Sequence, residues 1–287
     1  MPSLIDLRRR IRSVKNTQQI TKAMKVVSAA KLRRAQDRVL AARPYAQSIR
    51  RMLANVMQAV GDGQEGEGLE FLIKRPEKRI QLLVITADRG LAGAFNSNVI
   101  RTAQKFIADN SGAEVQLELI GRKGRDFFRK RHRQITGDYS TIFQKVVRFE
   151  DAQEIGHKVT ERFKQGEVDA VYMVLNNFKS LMASRLVVSR LLPLEPPQDQ
   201  EQIDYIYEQP PAELLASLLP RYIEAQIYRA LLESAAAEHA ARMTAMEAAS
   251  TNAAEVIDAL TLKMNRVRQA SITREIIEIV SGAAALD

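Results

Sequence analysis

The sequence predicts an α/β protein whose two long terminal helices form an antiparallel coiled coil, with a mostly parallel sheet domain between them in the chain. Three observations carry this. Twelve of the thirteen glycines lie between Gly61 and Gly166, and the other is Gly282. Residues 3–60 hold no glycine and one proline, Pro44, and residues 221–281 hold neither. Between these stretches, short apolar runs alternate with helical patterns. Glycine and proline are the strongest local breakers of structure, so their absence at each end predicts long helices. Stretches of about 60 residues would run roughly 85–90 Å, the length of a coiled coil rather than an ordinary globular helix.

In the first helix, Ser3 with Asp6 three residues on approximates a capping box. Leu4, Leu7, Ile11 and Val14 then recur at alternating spacings of three and four. The same phase returns at Leu32 and continues through Val39, Ile49, Leu53 and Val60. Between them Gln18, Thr21, Lys25 and Ser28 occupy the seam, and the apolar face moves to Ile20, Ala23, Met24 and Val27. Four consecutive polar positions predict a local change of partner. Pro44 predicts a kink. The last helix shows one phase from Tyr222 to Val267, interrupted by Arg229, His239 and Ser250. Beyond Val267 the apolar set becomes Ile272, Ile276, Ile279, Val280 and Ala283, and part of this arm should project past its partner as an exposed apolar stripe. Helices at the two ends of one chain pack most economically on each other, as an antiparallel pair.

In the middle, 79–86 reads as a buried strand, 96–109 as a helix and 114–120 as a strand. A short helix follows at 123–131, another at 150–165, a strand at 169–175 and a returning hairpin partner at 184–194. Strands alternating with helices predict a mostly parallel sheet. The domains are therefore 1–60 helix, 61–78 linker, 79–209 α/β domain and 210–287 helix.

The formal charge of +9 is unevenly placed. Residues 1–60 hold 14 basic residues and two acids, residues 61–209 hold 22 of each sign, and residues 210–287 hold seven basic and ten acidic. This is a basic helix attached to a nearly neutral remainder. With no cysteine there is no disulfide, thiolate nucleophile or cysteine metal site. His132, His157 and His239 lack metal-ligand spacing. No apolar run is long enough to span a membrane. The Arg-rich start superficially suits a presequence, but its pattern continues unbroken and reads as mature helix.

The strongest chemical motif is Thr86-Ala-Asp-Arg-Gly-Leu-Ala-Gly93, between a strand and a helix. Such turns can cradle phosphate on helix amides. Neither the dinucleotide fingerprint nor the P-loop pattern is present, so the turn reads as a close-packing device.

The run from Ile11 to Gln36 (IRSVKNTQQITKAMKVVSAAKLRRAQ) resembles the N-terminal signature of the gamma subunit of F-type ATP synthase. Residues 238–250 (EHAARMTAMEAAS) and 265–284 (NRVRQASITREIIEIVSGAA) resemble that family too, and the likeness covers the whole chain. The resemblance implies a central rotor shaft: an antiparallel coiled coil inside a ring of three alpha and three beta subunits, and a Rossmann-like α/β domain without a nucleotide site. It implies one copy per complex, further partners in epsilon and the membrane c-ring, no bound cofactor or metal, and no catalytic residue in this chain. By the same matching, Met24, Lys25, Arg242, Arg268, Gln269 and Thr273 contact the alpha–beta ring. The apolar Ile276, Ile279 and Val280 meet the sleeve of that ring, and Tyr205 and Glu208 meet the c-ring. A bacterial source, and a place on the cytoplasmic face of the plasma membrane, are implied. The alternative class is a basic coiled-coil nucleic-acid-binding protein.

Overall fold

The structure is a computed structural model of the 287-residue chain; it describes residues 3–60, 69–131, 134–178, 184–195 and 207–284. The chain divides into two compact units, one of Met1–Ala29 with Arg242–Asp287 and one of Ala30–Ala241. No described helix is long and apolar enough to cross a membrane.

Helix α1 spans Leu4–Val60 and runs through Pro44 without interruption. Its start is closed as the sequence predicts. Asp6 Oδ2 accepts from the Ser3 hydroxyl at 2.8 Å and the Ser3 amide at 3.3 Å, while Ser3 Oγ accepts from the Asp6 amide. The Ser3 hydrogen bonds hold the Asp6 carboxyl below its ordinary value. Helix α5 spans Pro211–Ala284. A proline suits its first position, where an amide would lack an intrahelical partner anyway.

In the first unit the α1–α5 pair corrects the predicted seam. The phase does not shift at Gln18–Ser28. Thr21 and Ser28 are buried, Gln18 and Lys25 half-buried, whereas Ile20, Ala23 and Val27 face outward and Met24 sits at the flank. The polar residues hold the seam because α5 supplies polar partners there, Ser250 opposite Thr21 and Glu247 opposite Lys25.

The second unit contains the sheet: β1 (Arg79–Ile85), β2 (Glu114–Ile120), β3 (Ile135–Tyr139), β4 (Ala170–Phe178) and β5 (Ser184–Leu192). Their order is β3-β2-β1-β4-β5. β1 pairs in parallel with β2 and β4, β2 in parallel with β3, and β5 returns antiparallel to β4. Six of the seven β1 residues are buried, as a central strand covered on both faces requires. One face packs Leu82, Val84, Leu117 and Leu119 against Val99 and Ala103 of α2 (Phe95–Asp109) and Phe128 of α3 (Arg122–Arg129). The other carries α4 (Phe149–Lys164), whose Lys158 lies 5.0 Å from the Tyr139 ring and whose Arg162 bonds Gln116.

β3 has no counterpart among the predicted elements. Its sequence ITGDY is short and polar, with Gly137 at its centre. That glycine sits against its neighbour: a Cβ there would lie 2.0 Å from Glu118 Oε1, so the Glu118 carboxylate would have to move. The predicted linker also needs correction. Residues 61–68 lie outside the described residues, but Leu69–Leu72 form a 3-10 turn whose Leu69 and Phe71 are buried. The segment is docked by the stack of Phe71 on Phe163 and by the Leu194 amide, which donates to the Phe71 carbonyl.

Asp169 ties the entry of β1 to that of β4. Its carboxylate accepts from the amides of Lys78 and Arg79 and from the Arg79 guanidinium at 3.0 Å. Burial raises its pKa, but the Arg79 side chain and amide outweigh burial and hold it below the ordinary value. A depressed carboxyl contributes stability above its unfolded pKa, and that stability is lost as pH falls through the folded value. Asp169→Asn is therefore expected to cost about 1–3 kcal/mol at neutral pH. The gap to wild type should close below about pH 4, the ordinary carboxylate range. Denaturant unfolding at the two pH values checks this, and an equal gap at both would contradict it.

Candidate partner-contact surfaces and the strand-end turn

In the antiparallel register set by Thr21 and Ser250, stepping back to Leu4 along α1 is matched by stepping forward to Val267 along α5. Past Val267 there is no further α1 residue to cover α5. Ile272, Ile276, Ile277, Ile279 and Val280 are accordingly 48–71% exposed. Ile276, Ile279 and Val280 thus form the bare apolar stripe that the sequence predicts for this arm. Arg268, Gln269 and Thr273 are exposed just before it, and the Thr273 hydroxyl donates to the Gln269 carbonyl at 2.9 Å.

Met24 and Arg242 are half-buried in the same unit. Lys25 forms an ion pair with Glu247, both side chains 42% or more exposed. Such a pair is worth under about 1 kcal/mol, so Lys25 remains available to a partner. Tyr205 lies outside the described residues. Glu208 is exposed in the turn before α5. Sequence reasoning missed Val26, 68% exposed beside Val27 and Ile20 on the outer face of α1. The available signal was an apolar residue off the seam of an unbroken helix.

The strand-end turn is filled by its own side chains. The first amides of α3, those of Arg122, Lys123 and Gly124, donate to Asp88 Oδ1, the Ala87 carbonyl and Thr86 Oγ1 at 2.8–3.0 Å. The Ala87 amide donates to Asn96 Oδ1, and Asn96 returns a bond to the Arg89 carbonyl. Burial pushes the Asp88 carboxyl above its ordinary value, partly offset by the Arg122 amide. The leading amides of α3 are therefore already satisfied. His157 is exposed beside Glu161, and His239 packs beside Glu238, both within helices. Among the described residues, no three His, Asp or Glu side chains are grouped to hold a metal.

A pair of antiparallel helices with a bare apolar end, carried by a chain that also folds a parallel sheet, defines a stalk-type subunit that works by docking into other proteins. The comparisons make this particular. The family model described as ATP synthase matches residues 3–286, and the chain belongs to that family as a gamma chain of the central stalk. The ATP synthase gamma chain of Solibacter usitatus is 59% identical over 287 residues, covering 100% of both chains. That of Pelotomaculum thermopropionicum is 51% identical, again over 100% of both. A central stalk chain from the Tetrahymena thermophila mitochondrial ATP synthase matches with TM-score 0.60 and 27% identity, covering 80% of this chain and 99% of that one. A chain from the Euglena gracilis mitochondrial ATP synthase in rotational state 3 shares the fold, with TM-score 0.66 and 18% identity over 99% of this chain and 94% of that one. Nothing in these matches supports a nucleic-acid-binding protein.

Proposed function

We propose that this chain is the rotating shaft of a rotary ATP synthase, a non-catalytic subunit that couples ion-driven rotation of a c-ring to the ATP sites of beta subunits, and runs in reverse during hydrolysis. The observation that carries the reading is the exposed apolar end of α5 beyond Val267. A stripe of this kind needs another surface. A ring with a smooth apolar sleeve excludes water while offering few directional bonds to resist turning.

Each beta subunit's open–closed equilibrium responds only to its differential contact with the face of the shaft it meets. Met24, Lys25, Arg242, Arg268, Gln269 and Thr273 are the polar and flanking contacts to the alpha–beta ring, and Ile276, Ile279 and Val280 the apolar ones. Tyr205 and Glu208 meet the c-ring, and epsilon binds alongside. One copy serves three alpha and three beta subunits, on the cytoplasmic face of a bacterial plasma membrane. The missing dinucleotide fingerprint and P-loop pattern support a chain that binds no nucleotide cofactor of its own. The test is reconstitution with alpha and beta subunits and imaging of a filament attached to this chain. A ring that assembles and hydrolyses ATP without turning it would overturn the reading.

The basic face of α1 provides a second handle. Fourteen basic residues against two acids in residues 1–60 are suited to acidic loops on the ring. The triple variant Lys22→Gln, Lys25→Gln, Arg33→Gln is expected to lower torque or assembly yield, more so at low salt. Wild-type torque and wild-type ATP-synthesis rate together would sink the electrostatic contribution.

A further inference from the structure

Both helices of the first unit break their apolar seams, and the breaks meet. Thr21 is 8% exposed and Ser250 is 7% exposed, and their hydroxyl oxygens lie 2.7 Å apart. The Thr21 hydroxyl donates to the Gln18 carbonyl at 3.0 Å, which uses its single proton. With the Thr21 proton there, Ser250 donates to Thr21; either hydroxyl can be the donor within the pair. The Gln18 side-chain amide donates to the Ser250 carbonyl at 3.4 Å, and Lys25 pairs with Glu247 one turn away. Outside this polar stretch, which also holds the buried Ser28, the seam is apolar and repetitive, with Leu4, Leu7, Ile11 and Val14 on α1 and Ile257, Leu260, Met264 and Val267 on α5.

Such a seam by itself does not distinguish the observed alignment from one displaced by a heptad, about 10 Å along the axis. A buried polar layer does distinguish them, because a slip of one heptad parts Thr21 from Ser250 and sets the Thr21 hydroxyl oxygen against Met243 or Ile257. We propose that Thr21 and Ser250 are positioning residues that lock the axial register of the helix pair. Through that register they set how far Met24 and Lys25 on α1 stand from Arg268, Gln269 and Thr273 on α5. A slipped pair would present these two sets to the same partner ring at wrong relative heights.

The absence of native cysteine makes the register directly readable. In the complex assembled with alpha and beta subunits, cysteines are placed at Ile11 and Leu260 for the observed register. Ile11 with Ala253, and Ile11 with Val267, report the two one-heptad slips. With Thr21 and Ser250 intact, oxidation should cross-link only the first pair. In Thr21→Val with Ser250→Ala, which keeps the seam's size, the slipped pairs should rise at least about tenfold, and rotation per ATP hydrolysed should fall. Thr21→Ser, which keeps the hydroxyl, should restore the single cross-link and the coupling. Cross-links confined to the first pair in the apolar double variant would overturn the lock, as would equal slipping in Thr21→Ser. If the double variant does not assemble while Thr21→Ser does so in register, hydroxyl pairing is supported; failure of both overturns it. The cross-link is read without rotation. A wild-type complex in register that never turns therefore counts against the shaft reading alone.

Discussion

Alanine at position 121 is expected to unfold the sheet-bearing unit or bring it close to unfolding. Gly121 has φ 92°, a conformation that L side chains rarely adopt, and a Cβ there would stand 2.0 Å from the Thr86 carbonyl oxygen. The clash is with backbone at the end of a central strand, so it cannot be relieved by a rotamer change. Backbone strain alone contributes about 1–3 kcal/mol. Displacing Thr86 also disturbs the bonds that the α3 amides make to Thr86, Ala87 and Asp88. A combined cost of about 4 kcal/mol or more is expected, against a typical total stability of about 5–15 kcal/mol. Gly112→Ala is the control: nothing lies within 4 Å of its added Cβ, and its φ is not positive. It should stay within about 0.5 kcal/mol of wild type. Denaturant unfolding of the full chain measures both. A Gly121→Ala protein within about 1 kcal/mol of wild type would show that the turn can rearrange around the added methyl.

Phe71→Ala should be nearly as damaging, although Phe71 follows a glycine-rich segment that reads as a linker. The ring is fully buried, stacks on Phe163 with centroids 6.2 Å apart, and lies under Lys164. Truncating a buried phenylalanine costs about 3–5 kcal/mol through lost transfer energy and the cavity left behind. For a unit of this size, that is a fall in melting temperature on the order of 10 °C. If residues 69–72 were only a tether, the substitution would change the melting temperature by less than about 2 °C. Thermal unfolding followed by circular dichroism separates the two outcomes.

Legibility differed by element for physical reasons. The strands at 79–85 and 170–178 are readable from near-continuous apolar runs, as strands covered on both faces require, and the strand at 114–120 from its alternation of apolar and polar residues. β3 is not, because an edge strand can be short and polar, and its glycine answers to Glu118 on the neighbouring strand. The bare stripe at Ile276–Val280 was legible from the change of apolar phase after Val267, whereas exposed Val26 stood outside every seam count. The polar stretch at Gln18–Ser28 is visible in the sequence, but its partner on α5 is not. Counted on one helix it is four misses, and opposite Ser250 and Glu247 it is a paired layer.

The charge, the glycine distribution and the two terminal motifs belong to the sequence alone. Together they determined a split helix pair flanking an α/β middle, and the family to which it belongs. Helical period, strand alternation and breaker residues are local properties, so one chain read in order is sufficient to show them. Only the tertiary structure decided which hydroxyl meets which across the seam, that the strand-end turn is filled by Asp88 and Asn96, and that Phe71 is core. The hydroxyl pair, the Asp88 bond to α3 and the packing of Phe71 on Phe163 each depend on two residues far apart in the chain arriving within about 3–6 Å. A hydrogen-bond partner or a packing neighbour has no position along the sequence until the chain has folded.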